Sequence, residues 1–127
     1  MSEPIWLTVE IAVAIHEAQL AEHGGPSGIR DAGMLESAIE RARNKFAYGE
    51  TDMATLAAAY GFGIARNHPF IDGNKRTSLM AIYTFLGVND VEFIVAEEDF
   101  AAIILSLAAG EVSEESLARW IRDNWPA

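Results

Sequence analysis

The chain has 127 residues, about half of them hydrophobic, no cysteine, and a formal net charge of −10 at pH 7. This length suits a single domain whose core needs no disulfide or thiolate metal site. The acidic balance argues against general binding to nucleic acid, and no apolar run reaches the roughly 18 residues of a membrane-spanning helix. The start, Met1-Ser2-Glu3-Pro4, lacks the basic region of a signal peptide, so we expect a cytoplasmic protein with no membrane partner.

The first predicted helix begins at a Thr8 cap and runs to about Glu22. Its apolar residues recur at helical spacing, at Ile11, Ile15 and Ala18. We expect this stripe to face the core. His16 and His23 lie on or near the helix, and we interpret them as surface or capping residues because neither has a metal-ligand partner nearby in sequence.

A glycine-rich segment, Gly24-Gly25-Pro26-Ser27-Gly28, interrupts the helical pattern. Such glycines serve either a phosphate-binding loop or a sharp turn, and we favour the turn because no Gly-Lys-Ser/Thr follows. Asp31 is expected to cap a second helix. Its predicted apolar stripe is Met34, Leu35, Ala38, Ile39 and Ala42. The last turn carries Arg41, Arg43 and Lys45, which suit the negative end of the helix dipole, with a binding patch as the alternative.

The third predicted helix, from about residue 51 to Arg66, is apolar on all sides and should therefore be central and buried. Gly61 and Gly63 each weaken a helix by roughly 1 kcal/mol relative to alanine, so we expect a neighbouring helix to approach closely there. The central helix delivers Arg66 and His68 at its carboxyl end.

Three further helices are predicted. One begins near Asn74 and stops at Gly87 or Asn89, one runs from near Glu98 to Ala109, and one is capped by Ser113 and reaches about Asn124. Residues 91–95 are β-prone and read as a short extended edge segment. We expect Trp120 and Trp125 to seal the edge of the core, with partner docking as the alternative. The whole pattern predicts one compact, almost wholly α-helical domain over residues 1–127.

Residues 68–77, His-Pro-Phe-Ile-Asp-Gly-Asn-Lys-Arg-Thr, place a base, a carboxylate, an amide and two cations in one loop between two core helices. Pro69 disfavours helical geometry in the residue before it, so His68 is expected at the helix end as an exposed general base. Gly73 permits a tight turn, and the next helix presents free N–H groups and a positive dipole end to it. Phosphate is the ligand that this arrangement favours.

Each polar side chain of this loop also has a structural interpretation. Lys75 and Arg76 oppose the dipole at the helix start, so an anionic ligand explains them better than local stability does. Asp72 is either an N-cap or salt-bridge partner, or it holds a magnesium ion that bridges phosphates. Asn74 is expected to orient a phosphate oxygen or the metal shell, and Phe70 to anchor the loop on the core. A capped helix–loop–helix with solvated charges is the alternative to a site.

The stretch from His68 to Arg76 resembles the signature of the Fic/Doc family, His-Pro-Phe-x-Asp/Glu-Gly-Asn-Gly-Arg-x-x-Arg. It departs from the Fic form at Lys75, where the signature has glycine, and at Leu79, where it has a second arginine. Both departures resemble the Doc branch, the death-on-curing toxins of Phd/Doc-type toxin–antitoxin modules. Residues 24–31, the Leu35-Glu36-Ser37-Ala38 segment and the short length are also similar to Doc, so the likeness covers essentially the whole chain.

The resemblance implies a Fic-like bundle of about six helices with the motif loop between two core helices. For Doc members it implies a protein kinase that transfers the ATP γ-phosphoryl group to a threonine of elongation factor Tu and so blocks translation. His68 would then be the base, and Asp72 would hold Mg²⁺. The implied nucleotide- and phosphate-binding residues are Gly73, Asn74, Lys75, Arg76 and Arg66. A lysine in place of the glycine is expected to reverse the bound nucleotide, and a Phd-like antitoxin is the implied partner.

Two other functions stay open on the sequence. A Fic-type adenylyl transferase would pass AMP to a protein hydroxyl, but Leu79 removes a cation that such enzymes use. A non-catalytic module would dock an antitoxin segment and act as a co-repressor, as the alanine-lined helix and two candidate exposed aromatics, Trp6 and Trp125, suggest. A metal hydrolase has little support, because the histidines lack ligand spacing.

Overall fold

A computed structural model describes residues 2–126 of the chain, and all its regular secondary structure is helical. The helices are α1 (Val9–His23), α2 (Ala32–Ala47), α3 (Met53–Asn67), α4 (Asn74–Val88), α5 (Glu97–Ala108) and α6 (Glu114–Asp123). Over this part of the chain, no helix has both the length and the apolar character needed to cross a membrane. The prediction of an all-α domain of six helices is confirmed.

Side-chain caps begin four of the six helices, and three of these caps, Thr8, Asp31 and Ser113, were predicted from the sequence. The caps are Thr8, Asp31, Asp52 and Ser113, and each accepts a hydrogen bond from the backbone N–H three residues on. Such a cap satisfies one of the four N–H groups that a helix start leaves unpaired, and it depends only on neighbours in sequence. The helix starts were therefore predicted correctly.

The central helix α3 packs against α2, α4, α5 and α6, and most of its side chains are buried. Its two glycines lie where neighbouring helices come closest. A Cβ at Gly63 would lie 2.9 Å from the Cα atom of Ala38 on α2, and one at Gly61 would lie 2.6 Å from Cδ1 of Ile82 on α4. The expected close approach of neighbouring helices is confirmed.

Helix α1 presents a different face to the core from the predicted one. Its buried residues are Ala12, His16 and Gln19, whereas Ile11 and Ala18 are exposed and Ile15 is half-buried. The first half of α1 is apolar almost all round, so hydrophobicity alone did not fix the orientation of the helix. The helix packs mainly on α4, beside the motif loop, where polar side chains can bond to backbone.

On α2 the prediction of a buried apolar stripe is wrong for one residue, Met34, which is 43% exposed.

Two aromatic predictions and the β-prone segment need correction. Trp6 is not an exposed docking residue, because its ring packs on Phe46 and Phe85 at centroid distances of 5.4 and 6.0 Å. Trp120 seals the core edge as predicted, whereas Trp125 lies at the surface. Residues 91–95 pair with no strand in the described chain, and their buried residue, Phe93, packs on aromatic rings instead.

Candidate active site

The motif loop joins the end of α3 to the start of α4 through two left-handed residues. His68 ends α3 with φ 49° and ψ 55°, and Gly73 precedes α4 with φ 79° and ψ 16°. Glycine adopts this conformation freely, but another L-residue there costs roughly 1–2 kcal/mol. Contacts to other parts of the chain must therefore hold His68 in place.

Arg30 supplies that support from the segment between α1 and α2. Its Nε donates to the backbone oxygen of His68 at 2.6 Å, and its Nη2 donates to that of Asn67 at 2.7 Å. Backbone pairing continues along the loop, with Arg30 N–H donating to Pro69 O at 2.7 Å and Ile71 N–H donating to Gly28 O at 3.1 Å. Residues 28–31 thus support the backbone of the motif loop, a role that the prediction of a turn missed.

Asn74 closes the loop from inside. Its Oδ1 accepts from Phe70 N–H and its Nδ2 donates to Phe70 O, both at 2.9 Å, and the side chain is buried. Both ends of this amide are thus hydrogen-bonded to the Phe70 backbone, whereas the sequence suggested that it orients a phosphate oxygen or a metal shell. What Asn74 offers an anion is its backbone N–H at the start of α4. Phe70 is 1% exposed and anchors the loop on the core as predicted.

His16 lies directly beneath the loop, although the sequence placed it at the surface. Its side chain is 1% exposed, and its ring stacks on Phe70 with centroids 3.9 Å apart and planes 7° apart. Its Nε2 lies 2.7 Å from the backbone oxygen of Asp72. A carbonyl oxygen only accepts, so Nε2 carries the hydrogen. His16 lies four residues after Ala12 and three before Gln19, a spacing that places all three on one face of the helix. Because two of these three side chains are polar, the face does not appear in the sequence as an apolar stripe.

An open cavity of about 380 Å³ lies above the loop and is lined by His68 and residues 71–76. Within residues 2–126, the backbone N–H groups of Asn74, Lys75 and Arg76 meet no acceptor, and Gly73 provides no side-chain cap. A helix start with free N–H groups and a left-handed residue before it forms an anion site. The structure thus brings together the predicted base, carboxylate, cations and helix start.

The two cations of the motif differ in their surroundings. Arg76 is tied to α1 and α5: its Nε and Nη2 lie 3.2 and 3.0 Å from Nε2 of His23, and its Nη1 lies 2.9 Å from Oε1 of Glu97. Because guanidinium only donates, His23 accepts through Nε2. Lys75 is exposed and has no ion-pair partner in the described part of the chain. It is the more available of the two for a ligand.

Two residues beyond the cavity also bear on the predictions. Arg66 does not line the cavity; its guanidinium lies over the Phe62 ring, 5.4 Å from the centroid, so the structure does not bring it to the expected phosphate site. Leu79 is buried at the base of an adjacent apolar groove of about 300 Å³ between α4 and α5. The motif face of α4 therefore has no third cation at that position.

Asp72 is the one carboxylate that lines the cavity, and its donor chemistry suits magnesium. The residue is exposed, and neither the N-cap role nor the salt bridge holds: Gly73 occupies the cap position, and Asp72 has no ion pair within residues 2–126. The described residues contain no cluster of three or more potential metal ligands. Magnesium is typically held by one or two carboxylates together with substrate phosphates and water, so Asp72 beside an anion site fits that ion.

Comparison with known proteins gives matches over most of the chain. The sequence model of the Fic/DOC family matches residues 6–86, which include the entire cavity lining. "Protein kinase doc" of Escherichia phage P1 is 36% identical over 117 residues, covering 91% of this chain and 92% of that protein. "Toxin Doc" of Mycolicibacterium smegmatis is 42% identical over 72 residues, covering 54% of this chain and 55% of that protein.

Proposed function

This chain belongs to the Fic/DOC family, and we therefore propose that it is the toxin of a toxin–antitoxin module, acting as a protein kinase. The observation that carries the proposal is Lys75. It stands at the start of α4 in place of the glycine of the Fic signature and faces the cavity that holds His68 and Asp72. The names of two relatives, a protein kinase and a toxin, agree with this function.

His68 is the proposed general base. Its side chain is exposed at the cavity, where it would accept the proton of an acceptor hydroxyl. The hydroxyl oxygen then forms a bond to the γ-phosphorus of ATP, the bond from that phosphorus to the bridging oxygen breaks, and ADP leaves. Catalysis of this transfer is mostly positioning and stabilisation of charge. The Arg30 contacts that fix His68 in a left-handed conformation supply the positioning.

The phosphate charge would be met at the start of α4. The free N–H groups of residues 74–76 point to the anion site, and Lys75 adds a cation with no competing carboxylate in the described chain. Arg76 would share its guanidinium between the phosphates and Glu97. Asp72 would hold Mg²⁺, which would supply positive charge to the phosphates. Because Lys75 fills space that glycine leaves open, we propose that the γ-phosphate, and not the α-phosphate, faces His68.

The proposed acceptor is a threonine of elongation factor Tu in the cytoplasm, and the proposed partner is a Phd-like antitoxin. Both follow from the similarity of the motif, with Lys75 and Leu79, to the Doc branch. The net charge of −10 is compatible with a protein substrate and argues against direct binding to nucleic acid.

The test is transfer of label from ATP to purified elongation factor Tu. We expect label from the γ position to appear on a threonine and label from the α position to stay in solution. Because a general base contributes roughly 10²- to 10⁴-fold, His68→Ala should lower the rate at least about a hundredfold. Arg119→Ala, which changes an exposed cation on α6, serves as the control and should act like wild type.

Two results would contradict the proposal. Transfer of the α label alone would indicate an adenylyl transferase. A His68→Ala variant that remains fully toxic when expressed in bacteria would indicate that toxicity comes from binding and not from catalysis.

A further inference from the structure

We propose that His16 is a positioning residue of the active site, which sets the direction of the Asp72–Gly73 peptide through its Nε2–H. The proposal deepens the kinase function and rests on it for the catalytic readout. The geometric part, which concerns the backbone of the loop, is independent of which reaction the site performs.

The contacts of His16 place it against the underside of the loop. Its Nε2 donates to the Asp72 carbonyl oxygen across 2.7 Å, and its ring stacks on the buried Phe70 ring at 3.9 Å. A Cβ at Gly73 would lie 3.6 Å from both Cδ2 and Nε2 of His16. The imidazole therefore contacts Phe70 and Asp72 and lies close to Gly73, and it comes from a helix position 56 residues before Asp72.

The effect on the cavity follows from the planarity of the peptide bond. In a trans peptide the C=O of Asp72 and the N–H of Gly73 point in opposite directions. The described chain has no cis peptide. When His16 draws the carbonyl inward, the N–H of Gly73 turns outward, and Gly73 lines the cavity. A left-handed residue followed by a helix start aims successive N–H groups at one anion. His16 thus fixes the first of these groups.

Other supports of the loop act elsewhere. Asn74 holds Phe70, and Arg30 holds Asn67 and His68. Among the described residues, His16 is the only one whose side chain bonds to the backbone of residues 71–73. The Asp72 carboxylate has no hydrogen-bonded partner of its own there, and it packs against Gly25, where an added Cβ would lie 2.8 Å from its Oδ2. A stacked apolar ring would fill the same space but would leave the carbonyl without a donor.

Two substitutions of His16 separate the effect of its N–H donor from the effect of its side-chain volume. His16→Gln and His16→Met are both unbranched and of similar length, and both lose the stacked ring, but only glutamine carries an N–H that reaches the Asp72 carbonyl. We expect kcat for phosphoryl transfer to be at least tenfold lower in His16→Met than in His16→Gln, because misdirected donors weaken transition-state stabilisation. The KM for ATP should differ less than threefold between the two, and thermal unfolding midpoints should agree within a few degrees.

A second readout does not depend on catalysis. In ¹⁵N–¹H spectra the Gly73 amide signal should move clearly in His16→Met and stay close to its wild-type position in His16→Gln. If wild-type protein shows no phosphoryl transfer, the proposed function fails, and the Gly73 signal still decides the role of His16. Equal kcat values together with equal Gly73 signals in the two variants would overturn the proposal. If His16→Met does not fold, His16→Phe, which keeps the stacked ring without a donor, replaces it under the same criteria.

Discussion

His68 combines a functional side chain with a backbone conformation that favours glycine. Its φ of 49° lies in the left-handed region, and Arg30 holds its carbonyl from the neighbouring segment. Strained residues of this kind persist only where surrounding contacts determine them, and they occur at sites where direction matters more than stability. The left-handed conformation of His68 lowers the stability of the folded chain, and it places the imidazole at the cavity.

The strain at His68 predicts that glycine at this position gives a more stable protein than alanine does, although both variants are inactive. His68→Gly and His68→Ala both remove the base, so both should lose phosphoryl transfer. His68→Gly should have a free energy of unfolding about 1 kcal/mol higher than that of His68→Ala, because glycine adopts the left-handed conformation without steric cost. Urea denaturation of the two variants measures the difference. Equal stabilities would contradict the strain.

At the scale of the element, α3 and α4 differ in how their glycines are used. Gly63 on α3 lies against the backbone of Ala38 on α2, which cannot yield, whereas no atom lies within 4 Å of a Cβ built at Gly87 near the end of α4. The first glycine permits helix packing, and the second only lowers helix propensity. The two sites therefore form a matched pair.

Alanine should have opposite signs at these two glycines. Gly63→Ala is expected to lower the free energy of unfolding by about 1–3 kcal/mol, because its Cβ overpacks the contact with α2. Gly87→Ala should raise it by roughly 0.5–1 kcal/mol, through better helix propensity and a less flexible unfolded chain. Chemical denaturation curves give both values. A stabilising Gly63→Ala would contradict the close approach of α2.

At the scale of the whole molecule, the amino-terminal segment is fastened to the central helices by polar groups. The Tyr60 hydroxyl on α3 accepts from Leu7 N–H at 3.0 Å, and Asn89 pairs with both backbone groups of Ile5, at 2.8 and 3.0 Å. Burial raises the pKa of Tyr60 to about 12, with the Leu7 hydrogen bond opposing the rise. The hydroxyl therefore stays protonated in the folded protein above the pH at which a free tyrosine ionises.

The raised pKa of Tyr60 predicts that the folded protein loses stability at alkaline pH. Its folded pKa lies above the unfolded value of about 10, so its contribution is complete below pH 10 and is lost as the pH rises toward 12. The loss should be on the order of 2–3 kcal/mol. Tyr60→Phe should lack this part of the slope, although it starts about 1–3 kcal/mol less stable because Leu7 N–H loses its acceptor. Denaturation at pH 8, 10 and 11.5 compares the two proteins, and parallel curves would contradict the prediction.

Features that depend on neighbouring residues could be predicted from the sequence. Each side-chain cap is a hydrogen bond between residues three apart, and the apolar character of α3 appears in its own composition, so the sequence indicates both. The same holds for the chemistry of the motif, because the base, the carboxylate and the cations lie within nine consecutive positions, 68–76. These features predicted the fold class and the location of the candidate site.

Which side chains meet the motif, and what each of them contacts, was set by the tertiary structure. It turned His16 inward, occupied the Asn74 amide with Phe70, tied Arg76 to Glu97 and left Arg66 outside the cavity. Helical spacing shows which residues share a face, but a polar face is buried only when distant backbone groups match its donors and acceptors. For His16 that match is a carbonyl 56 residues away, and no local pattern in the sequence records it.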